Sequence, residues 1–344
     1  MKKIFVTLAL LCVCAWVFAA CNEAPRYEEG WTFDETYHWK KSLTSNVEIA
    51  QKAKHDFGSW TIVSEATHLT DGSRKHTCAT CGYEATETVA KSDCENTKQL
   101  SEAVEAAKSG DTINVKGEIV FADAWTVNKS VILQGVGNTF FTGRPLYVKS
   151  DADVTFRNIT FRTPDNSSES HANNNASCVY AQRLTGKLTF ESCTFADAPW
   201  DSMQITFESS STAEITVKNC TFHNTVQGYR YVHLQTTGEE APNVKFVLSG
   251  NTFYNVSTAF CKDSAITVYG PVKSNMTFEN NVFTGAGATK DELTTAVVWV
   301  SNGVDAESLL DPSDVGKIYS KSSQSARTSA RAYKKRYEFS HIYK

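Results

Sequence analysis

Two cysteines and two histidines in the N-terminal part of the chain have the residue types and spacing that suit a metal ion. Cys78 and Cys81 are separated by two residues and followed by Gly82, in the stretch HTCATCGY. A tight turn at this spacing directs two thiolates at one point, and glycine supplies the backbone freedom that the turn needs. Zinc prefers four nitrogen or sulfur ligands in a tetrahedron. His38 and His55 are predicted to supply the other two.

Three alternatives to this ligand set stay open at the level of sequence. His76 and His68 are reserve ligands, and Cys78 with Cys81 can instead form a small disulfide or remain free thiols. Zinc held by four protein ligands would be structural, because a closed site leaves no position for a substrate.

The same segment resembles small modules of bacterial surface proteins that combine a His-x4-Trp pattern with a later CxxCG. His55 and Trp60 match the first part of that pattern. Some of these modules carry a further cysteine pair after the first histidine. This chain reads YHWKKSLTSN in that region, with Ser42 and Ser45 and no cysteine.

A second group of polar residues lies in the stretches APWDSMQITF, GYRYVHLQ and CKDSAITVYG. We predict Trp200, Asp201, Arg230, His233 and Asp263 as ligand-binding residues, and we assign no catalytic residue. Both aspartates precede a strand-like run, so they are expected on one face of the fold. Glycoside hydrolases need two carboxylates about 5–10 Å apart. The alternative interpretation is that these residues are solvated turn residues.

Five aromatic residues are candidates for a strip on which sugar rings stack. They are Trp125, Trp200, Trp299, Tyr229 and Tyr231. For half of them we expect a place in the core or under a cap instead.

These side chains must be positioned by a repeated element. One short sequence pattern occurs five times. It consists of an apolar residue, Thr or Val, a second apolar residue and any residue, followed by Asn, Ser or Gly, two further residues and a Phe. Its phenylalanines are separated by 34, 27, 31 and 30 residues and are Phe161, Phe195, Phe222, Phe253 and Phe283. Repeats of this size indicate a solenoid whose coils of two or three short strands stack on one another. The phenylalanines are predicted to form one internal column.

Two further columns follow from this alignment. The first is a turn column that favours left-handed backbone and lets an asparagine amide bond to the next coil; its members are Asn158, Ser192, Asn219, Gly250 and Asn280. The second consists of Ile159, Cys193, Cys220, Asn251 and Asn281. Cys193 and Cys220 would lie about 4.8 Å apart. A disulfide is conceivable there, but we favour buried thiols, as for Cys178 and Cys261.

One helix precedes the repeats. Leu100, Ala103, Val104 and Ala107 have helical spacing, and Gly110 is predicted to end the helix. A single amphipathic helix followed only by strands is expected to cover the open end of the solenoid.

Residues Thr97 to Thr284 resemble the pectate-lyase-like right-handed parallel β-helix superfamily, and in particular the β-helix proteins of bacterial surfaces. The opening LSEAVEAAKSGDTINVKG and the repeated sequence pattern carry the resemblance. It implies a mainly β protein, with a parallel β-helix solenoid capped by an N-terminal helix and preceded by the small β-rich His/Trp/CxxC module. This scaffold carries lyases, hydrolases, adhesins and stalks. Its polysaccharide lyases use calcium held by clustered carboxylates, together with a basic residue.

The N-terminus predicts export and lipid anchoring. Lys2 and Lys3 precede the apolar run Ile4–Ala20, which is typical of a secretory signal. An uncleaved membrane anchor is the alternative. The stretch VFAAC resembles the lipobox of bacterial lipoproteins, with Phe18 where that family usually has Leu. The resemblance implies cleavage before Cys21, acylation of that cysteine, and a place in the bacterial cell envelope, on the outer membrane or cell surface.

The chain is thus predicted to contain a signal peptide (1–20), a tether (21–29), the small module (30–92), the β-helix (94–300) and a polar basic tail (301–344). The net charge of −4 does not suggest a nucleic-acid partner. The function we expect is a surface lipoprotein that binds polysaccharide or another cell surface without catalysis. The alternative is a calcium-dependent lyase, or a glycoside hydrolase, acting on acidic glycans.

Overall fold

The chain divides into two compact units, Met1–Ala90 and Lys91–Lys344. The computed structural model describes residues 25–44, 49–162, 177–225, 228–236, 241–254, 265–268, 275–283 and 298–300. The signal segment, Cys21 and the basic tail lie outside these residues. Within the described part of the chain, no helix has the length and apolar character needed to cross a membrane.

The first unit contains two three-stranded antiparallel sheets. One sheet has the order β1–β2–β3 and the other has the order β4–β5–β6. The strands are Thr32–Phe33 (β1), Tyr37–Lys41 (β2), Ile49–Lys54 (β3), Thr61–Ser64 (β4), Gly72–Thr77 (β5) and Glu84–Val89 (β6).

The second unit begins with one helix and continues with short strands that pair in parallel. The elements are Thr97–Ala106 (α1), Thr112–Phe121 (β7), Trp125–Val127 (β8), Ile132–Gly143 (β9), Leu146–Val148 (β10), Val154–Arg157 (β11), Thr160–Arg162 (β12), Val179–Ala181 (β13), Lys187–Glu191 (β14), Thr194–Ala196 (β15), Asp201–Phe207 (β16), Glu214–Lys218 (β17), Thr221–His223 (β18), Arg230–Thr236 (β19), Lys245–Ser249 (β20), Thr252–Phe253 (β21), Ile266–Val268 (β22), Met276–Glu279 (β23), Val282–Phe283 (β24) and Val298–Val300 (β25).

These strands stack as successive coils of a parallel β-helix. A complete coil contributes three strands, such as β14, β15 and β16, and the next coil places β17, β18 and β19 beside them. The third strands of the coils form a sheet with the order β25–β22–β19–β16–β13–β10–β8. The other strands form a second sheet in which the long strand β9 joins two arms. The predicted solenoid of two or three short strands per coil is therefore confirmed.

The phenylalanine column is also confirmed for four of its five predicted members, and the side chain of Phe283 lies outside the described part of the chain. Phe161, Phe195, Phe222 and Phe253 pair in register on neighbouring strands, with ring centroids 4.9, 4.8 and 4.6 Å apart. All four side chains are buried. Because each coil is too thin to enclose an apolar core, the rings of adjacent coils supply that core for one another.

The turn column adopts the left-handed backbone that the sequence predicts. The φ angle is 53° at Asn158, 55° at Ser192, 53° at Asn219, 66° at Gly250 and 54° at Asn280. Asparagine and glycine tolerate this conformation better than other residues do. The turn bends each coil sharply between its first and second strands.

In the column that follows the turn, asparagine side chains form hydrogen bonds between coils, whereas the prediction assigned such bonds to the turn column. The Oδ1 atom of Asn251 accepts from the Cys220 amide at 2.8 Å, and its Nδ2 group donates to the Val217 carbonyl at 2.9 Å. Asn281 repeats the pattern one coil later, donating to the Leu248 carbonyl at 2.8 Å. The reason is geometric: this column points inward, where buried backbone groups need partners.

Cys193 and Cys220 belong to the same inward column and are both buried free thiols. Burial raises the pKa of Cys193 well above its usual value, and the neighbouring Cys220 thiol adds a smaller increase. Cys178 is likewise a buried free thiol, and Cys261 lies outside the described residues.

The helix α1 packs against β7, the first strand of the first coil, through Leu100, Ala103 and Val104. The prediction that Gly110 ends this helix is wrong. The helix ends at Ala106 because Ala107 turns to extended backbone while its amide still bonds to the carbonyls of the last turn. Gly110 (φ 88°) lies in the loop that follows.

Candidate functional site

The four predicted metal ligands converge in the first unit. His38 lies in β2, His55 follows β3, and Cys78 and Cys81 occupy the turn between β5 and β6. Their ligand atoms all lie within 4.8 Å of one another. The sequence thus places two strands and one turn around a single point.

The backbone of the cysteine turn explains how two thiols come to face that point. The Gly82 amide donates to the Cys78 carbonyl at 3.0 Å, and the Cys78 amide donates to the Tyr83 carbonyl at 2.8 Å. Gly82 has a φ of 76°, a conformation that strains most other residues. The turn is therefore closed by its own hydrogen bonds around the Cys-x-x-Cys-Gly sequence.

The distances within the cluster suit a tetrahedral centre. The sulfur of Cys78 lies 3.8 Å from Nδ1 of His38, and the sulfur of Cys81 lies 3.3 Å from Nδ1 of His55. Metal–ligand bonds of about 2.3 Å to sulfur and about 2.0 Å to nitrogen give sulfur–nitrogen edges of about 3.5 Å in a tetrahedron. The four side chains can hold a metal ion with little movement.

The electrostatics of the cysteine pair also favour a cation. Burial acts to raise the pKa of Cys78, but the Cys81 amide, the His55 side chain and the Thr80 amide outweigh it and lower that pKa to about 6. Burial and the neighbouring Cys78 raise the pKa of Cys81. One thiolate therefore forms readily at neutral pH, while a second thiolate beside it needs a positive charge.

The cluster is also the most enclosed part of its unit. Among the described residues of the first unit, just three are buried, namely His38, Gly72 and Cys78. Two of these three are cluster members. Several large apolar side chains of the unit are exposed instead, including Leu43, Ile62 and Val63.

The reserve histidines lie outside the cluster. His76 is stacked between Phe57 and Trp60, at centroid distances of 3.9 and 3.7 Å. The guanidinium of Arg74 covers the ring of Trp60. The imidazole of His76 is thus held in an aromatic stack, and His68 is likewise not among the four clustered ligands.

In the second unit, three predicted ligand-binding residues come together. Asp201 begins β16 and pairs in register with Arg230, which begins β19. The Oδ2 atom of Asp201 lies 2.9 Å from Nδ1 of His233 and 3.4 Å from a guanidinium nitrogen of Arg230. All three are buried, and Oδ1 of Asp201 has no hydrogen-bond partner among the residues that the structure describes. The group is a buried ion-pair cluster, and Asp263 lies outside the described residues.

The candidate aromatic strip is divided between surface and interior. Trp200 and Tyr229 are half-buried and stack on each other, with centroids 4.3 Å apart. Tyr231 is fully buried against Phe222, so it is one of the candidates that lie in the core. The indole nitrogen of Trp125 donates a hydrogen bond to Ser101 of α1, which agrees with a place under the cap. The side chain of Trp299 lies outside the described part of the chain.

Sequence reasoning missed two outward columns of threonines, although the repeated sequence pattern contained them. Each of these threonines is half-buried and lies between two buried, inward-facing residues. The first column comprises Thr155, Thr189, Thr216 and Thr277, with Val247 between the last two. The second column comprises Thr160, Thr194, Thr221 and Thr252 without interruption.

The comparisons with known proteins agree with this architecture. The family model described as the right-handed beta helix region matches residues 113–305, more than half of the chain. The chain therefore belongs to the right-handed β-helix family. This membership is compatible with a carbohydrate-related surface protein and with an enzyme. No curated protein matched the chain, and no solved structure matched it.

The geometry of the four-ligand cluster indicates which substitutions abolish metal binding. We expect the purified full-length protein in detergent to carry about one metal ion per chain. Cys81→Ser is expected to reduce bound metal at least about tenfold after desalting, because losing a ligand costs no less than losing one of its supporting hydrogen bonds. Elemental mass spectrometry measures the metal content.

His76→Ala is the matched control from the same unit. It removes the reserve histidine but leaves the four clustered ligands intact, so the metal content is expected to remain near that of the unaltered chain. Loss of metal from His76→Ala together with retention in Cys81→Ser would show that the ligand assignment is wrong.

Proposed function

We propose that the protein is a bacterial surface lipoprotein, anchored through acylated Cys21, whose β-helix binds polysaccharide without catalysis and whose N-terminal module is built around structural zinc. The β-helix family membership supports a carbohydrate-related role, and the four-ligand cluster supports the metal. Each part of the proposal has its own test.

Zinc is the metal that the cluster favours. Two sulfur and two imidazole ligands are a combination typical of structural zinc sites. Softer thiolate ligands disfavour calcium and magnesium, which prefer oxygen. Four protein ligands fill a tetrahedron, so the zinc contributes to folding of the module and takes no part in a reaction.

The second threonine column is the binding surface that we propose for polysaccharide. It places a hydroxyl on each of four consecutive coils, at intervals of about 4.8 Å, which is comparable to the length of one sugar unit in an extended chain. Hydroxyl groups can both donate and accept hydrogen bonds, as sugar hydroxyls do. Trp200 and Tyr229 follow the column on two of these coils and add half-buried aromatic surface.

The first threonine column is a poorer candidate because it is interrupted and bordered by ion pairs. Val247 replaces one threonine. Glu214 lies 3.0 Å from both Lys187 and Lys245, on the neighbouring strands of the same arm. These charges are already paired with one another across the coils.

The burial of Asp201, Arg230 and His233 favours a binding protein over an enzyme. A polysaccharide cannot reach a carboxylate that is fully covered, and one oxygen of Asp201 already contacts both the arginine and the histidine. We propose that this cluster stabilises the coil that contains Trp200. The enzyme alternative requires the cluster to become accessible to a calcium ion or an acidic sugar.

A glycan array tests the binding surface. We expect the full-length protein in detergent to bind at least one polysaccharide, with equal strength in calcium and in EDTA and with no new unsaturated or reducing ends. The double variant Thr194→Ala/Thr221→Ala removes two hydroxyls. It is expected to bind the polysaccharide about tenfold more weakly, since each hydrogen bond contributes about 0.5–1.5 kcal/mol.

The double variant Thr189→Ala/Thr216→Ala is the matched control, because it removes two hydroxyls from the same two coils in the first column. Its affinity is expected to stay within about twofold of the unaltered chain, which is well below the cost of one lost hydrogen bond at the upper end of that range. Calcium-dependent cleavage of an acidic glycan would favour the enzyme alternative, and equal effects of both double variants would rule out the proposed surface.

Detergent-phase partitioning tests the anchor. Two or more acyl chains bind a membrane stably, at about 0.8 kcal/mol per buried CH₂. The unaltered protein is therefore expected in the detergent phase after export by a bacterial host, and Cys21→Ser in the aqueous phase. Equal partitioning of both forms into detergent would favour an uncleaved apolar anchor instead.

A further inference from the structure

The imidazole of His55 makes a second contact on the side away from the cysteines. Its Nε2 atom lies 2.8 Å from the backbone carbonyl oxygen of Asp34. A carbonyl oxygen can only accept, so Nε2 must carry the hydrogen. In the neutral ring Nδ1 is then unprotonated, and this is the nitrogen that lies 3.3 Å from the sulfur of Cys81.

The Asp34 carbonyl is itself held in place by the Asp34 side chain. Its carboxylate oxygen Oδ1 accepts from the amide of Thr36 at 2.8 Å and from the amide of Tyr37 at 2.7 Å. The Asp34 amide donates in turn to the Tyr37 carbonyl at 2.9 Å. These three bonds close the turn between β1 and β2, immediately before the ligand His38.

The same turn contacts the segment that carries the other histidine. The amide of His55 donates to the carbonyl of Thr36 at 3.3 Å. The turn therefore holds both the backbone and the ring of His55, while the strand that follows the turn presents His38. One short segment is connected to both imidazole ligands.

We propose that Asp34 is a positioning residue for the metal centre: its carboxylate closes the turn that directs its own carbonyl oxygen at His55 and holds that imidazole in the tautomer that binds metal through Nδ1. This inference rests on the metal site proposed above. Asp34 is exposed and is not one of the four clustered ligands, so it acts on the metal through His55 and not by direct contact.

A hydrogen-bonding role and a charge role for Asp34 have different consequences. An asparagine at this position keeps a side-chain oxygen that can accept the same two amide bonds, because aspartate and asparagine both form this type of turn. Asp34→Asn therefore removes the charge and preserves the turn, whereas Asp34→Ala removes both.

The test measures zinc affinity of the full-length protein in detergent by competition with a chromophoric chelator. Outer hydrogen-bond partners of metal-bound histidines typically contribute 10–100-fold to affinity. We expect Asp34→Ala to bind zinc about 10–100-fold more weakly and Asp34→Asn to bind within about threefold of the unaltered chain, a loss clearly smaller than that range.

Thr67→Ala is the matched control. Thr67 closes a similar turn in the same unit, with its hydroxyl accepting from the amides of Leu69 and Thr70 at 3.1 and 2.9 Å. Neither Thr67 nor its two partners is a cluster member, so the zinc affinity of this variant is expected to be unchanged.

Cobalt substitution supplies a readout that a general loss of stability does not move. Visible absorption of Co²⁺ reports the geometry of its ligands. At saturating cobalt we expect Asp34→Ala to show altered absorption bands, while Asp34→Asn and Thr67→Ala match the unaltered chain. Circular dichroism at saturating metal checks that each variant is folded.

The outcomes separate this inference from the proposal on which it depends. If the unaltered chain binds neither zinc nor cobalt, the metal site itself is wrong and the role of Asp34 is wrong with it. If the unaltered chain binds zinc and Asp34→Ala binds it equally well, only the positioning role is overturned. A weakening of Asp34→Asn equal to that of Asp34→Ala, or an equal weakening of Thr67→Ala, would also overturn it.

Discussion

We propose that the four-ligand cluster is the interaction on which the N-terminal unit depends, because the described residues of that unit enclose almost no apolar side chains. His38 and Cys78 are buried there, whereas Ile62, Val63 and Leu43 are exposed. Small domains that cannot bury enough apolar surface rely on disulfides or metals. Metal binding in such a unit contributes folding free energy directly, on the order of 10 kcal/mol for zinc-finger peptides. In the proposed arrangement, the Asp34 turn holds the imidazole of His55 in the orientation that metal binding requires.

The second unit, in contrast, encloses many apolar side chains. Each coil is thin, but stacking places Phe195 on Phe222 and Phe222 on Phe253, and Asn251 and Asn281 supply the buried backbone groups with partners. Left-handed residues at the same position of every coil keep the strands in register. Because the inward positions are occupied in this way, the outward positions form the surface of the coils, where the second threonine column repeats on four consecutive coils.

Repetition explains which features were predictable from sequence. The phenylalanine column, the left-handed turns and the Cys-x-x-Cys turn each follow from local spacing, and the structure contains them. The pairing of Asp201 with His233 depends on the register between two coils, which no short pattern reports. The inward direction of Asn251 depends on how the turn before it bends the chain. The helix ends at Ala106 because Ala107 adopts extended backbone, so the chain has left the helix before it reaches Gly110.

The central claim is that a metal centre takes the place of an apolar core in the first unit. Hydrogen–deuterium exchange of the full-length protein, with and without a strong zinc chelator, tests it most directly. The account predicts that removing the metal abolishes amide protection in β2, β3, β5 and β6, while β9, β14 and β17 of the β-helix keep theirs and serve as an internal reference. Full protection of the first four strands after complete loss of metal, measured on the same samples, would contradict it.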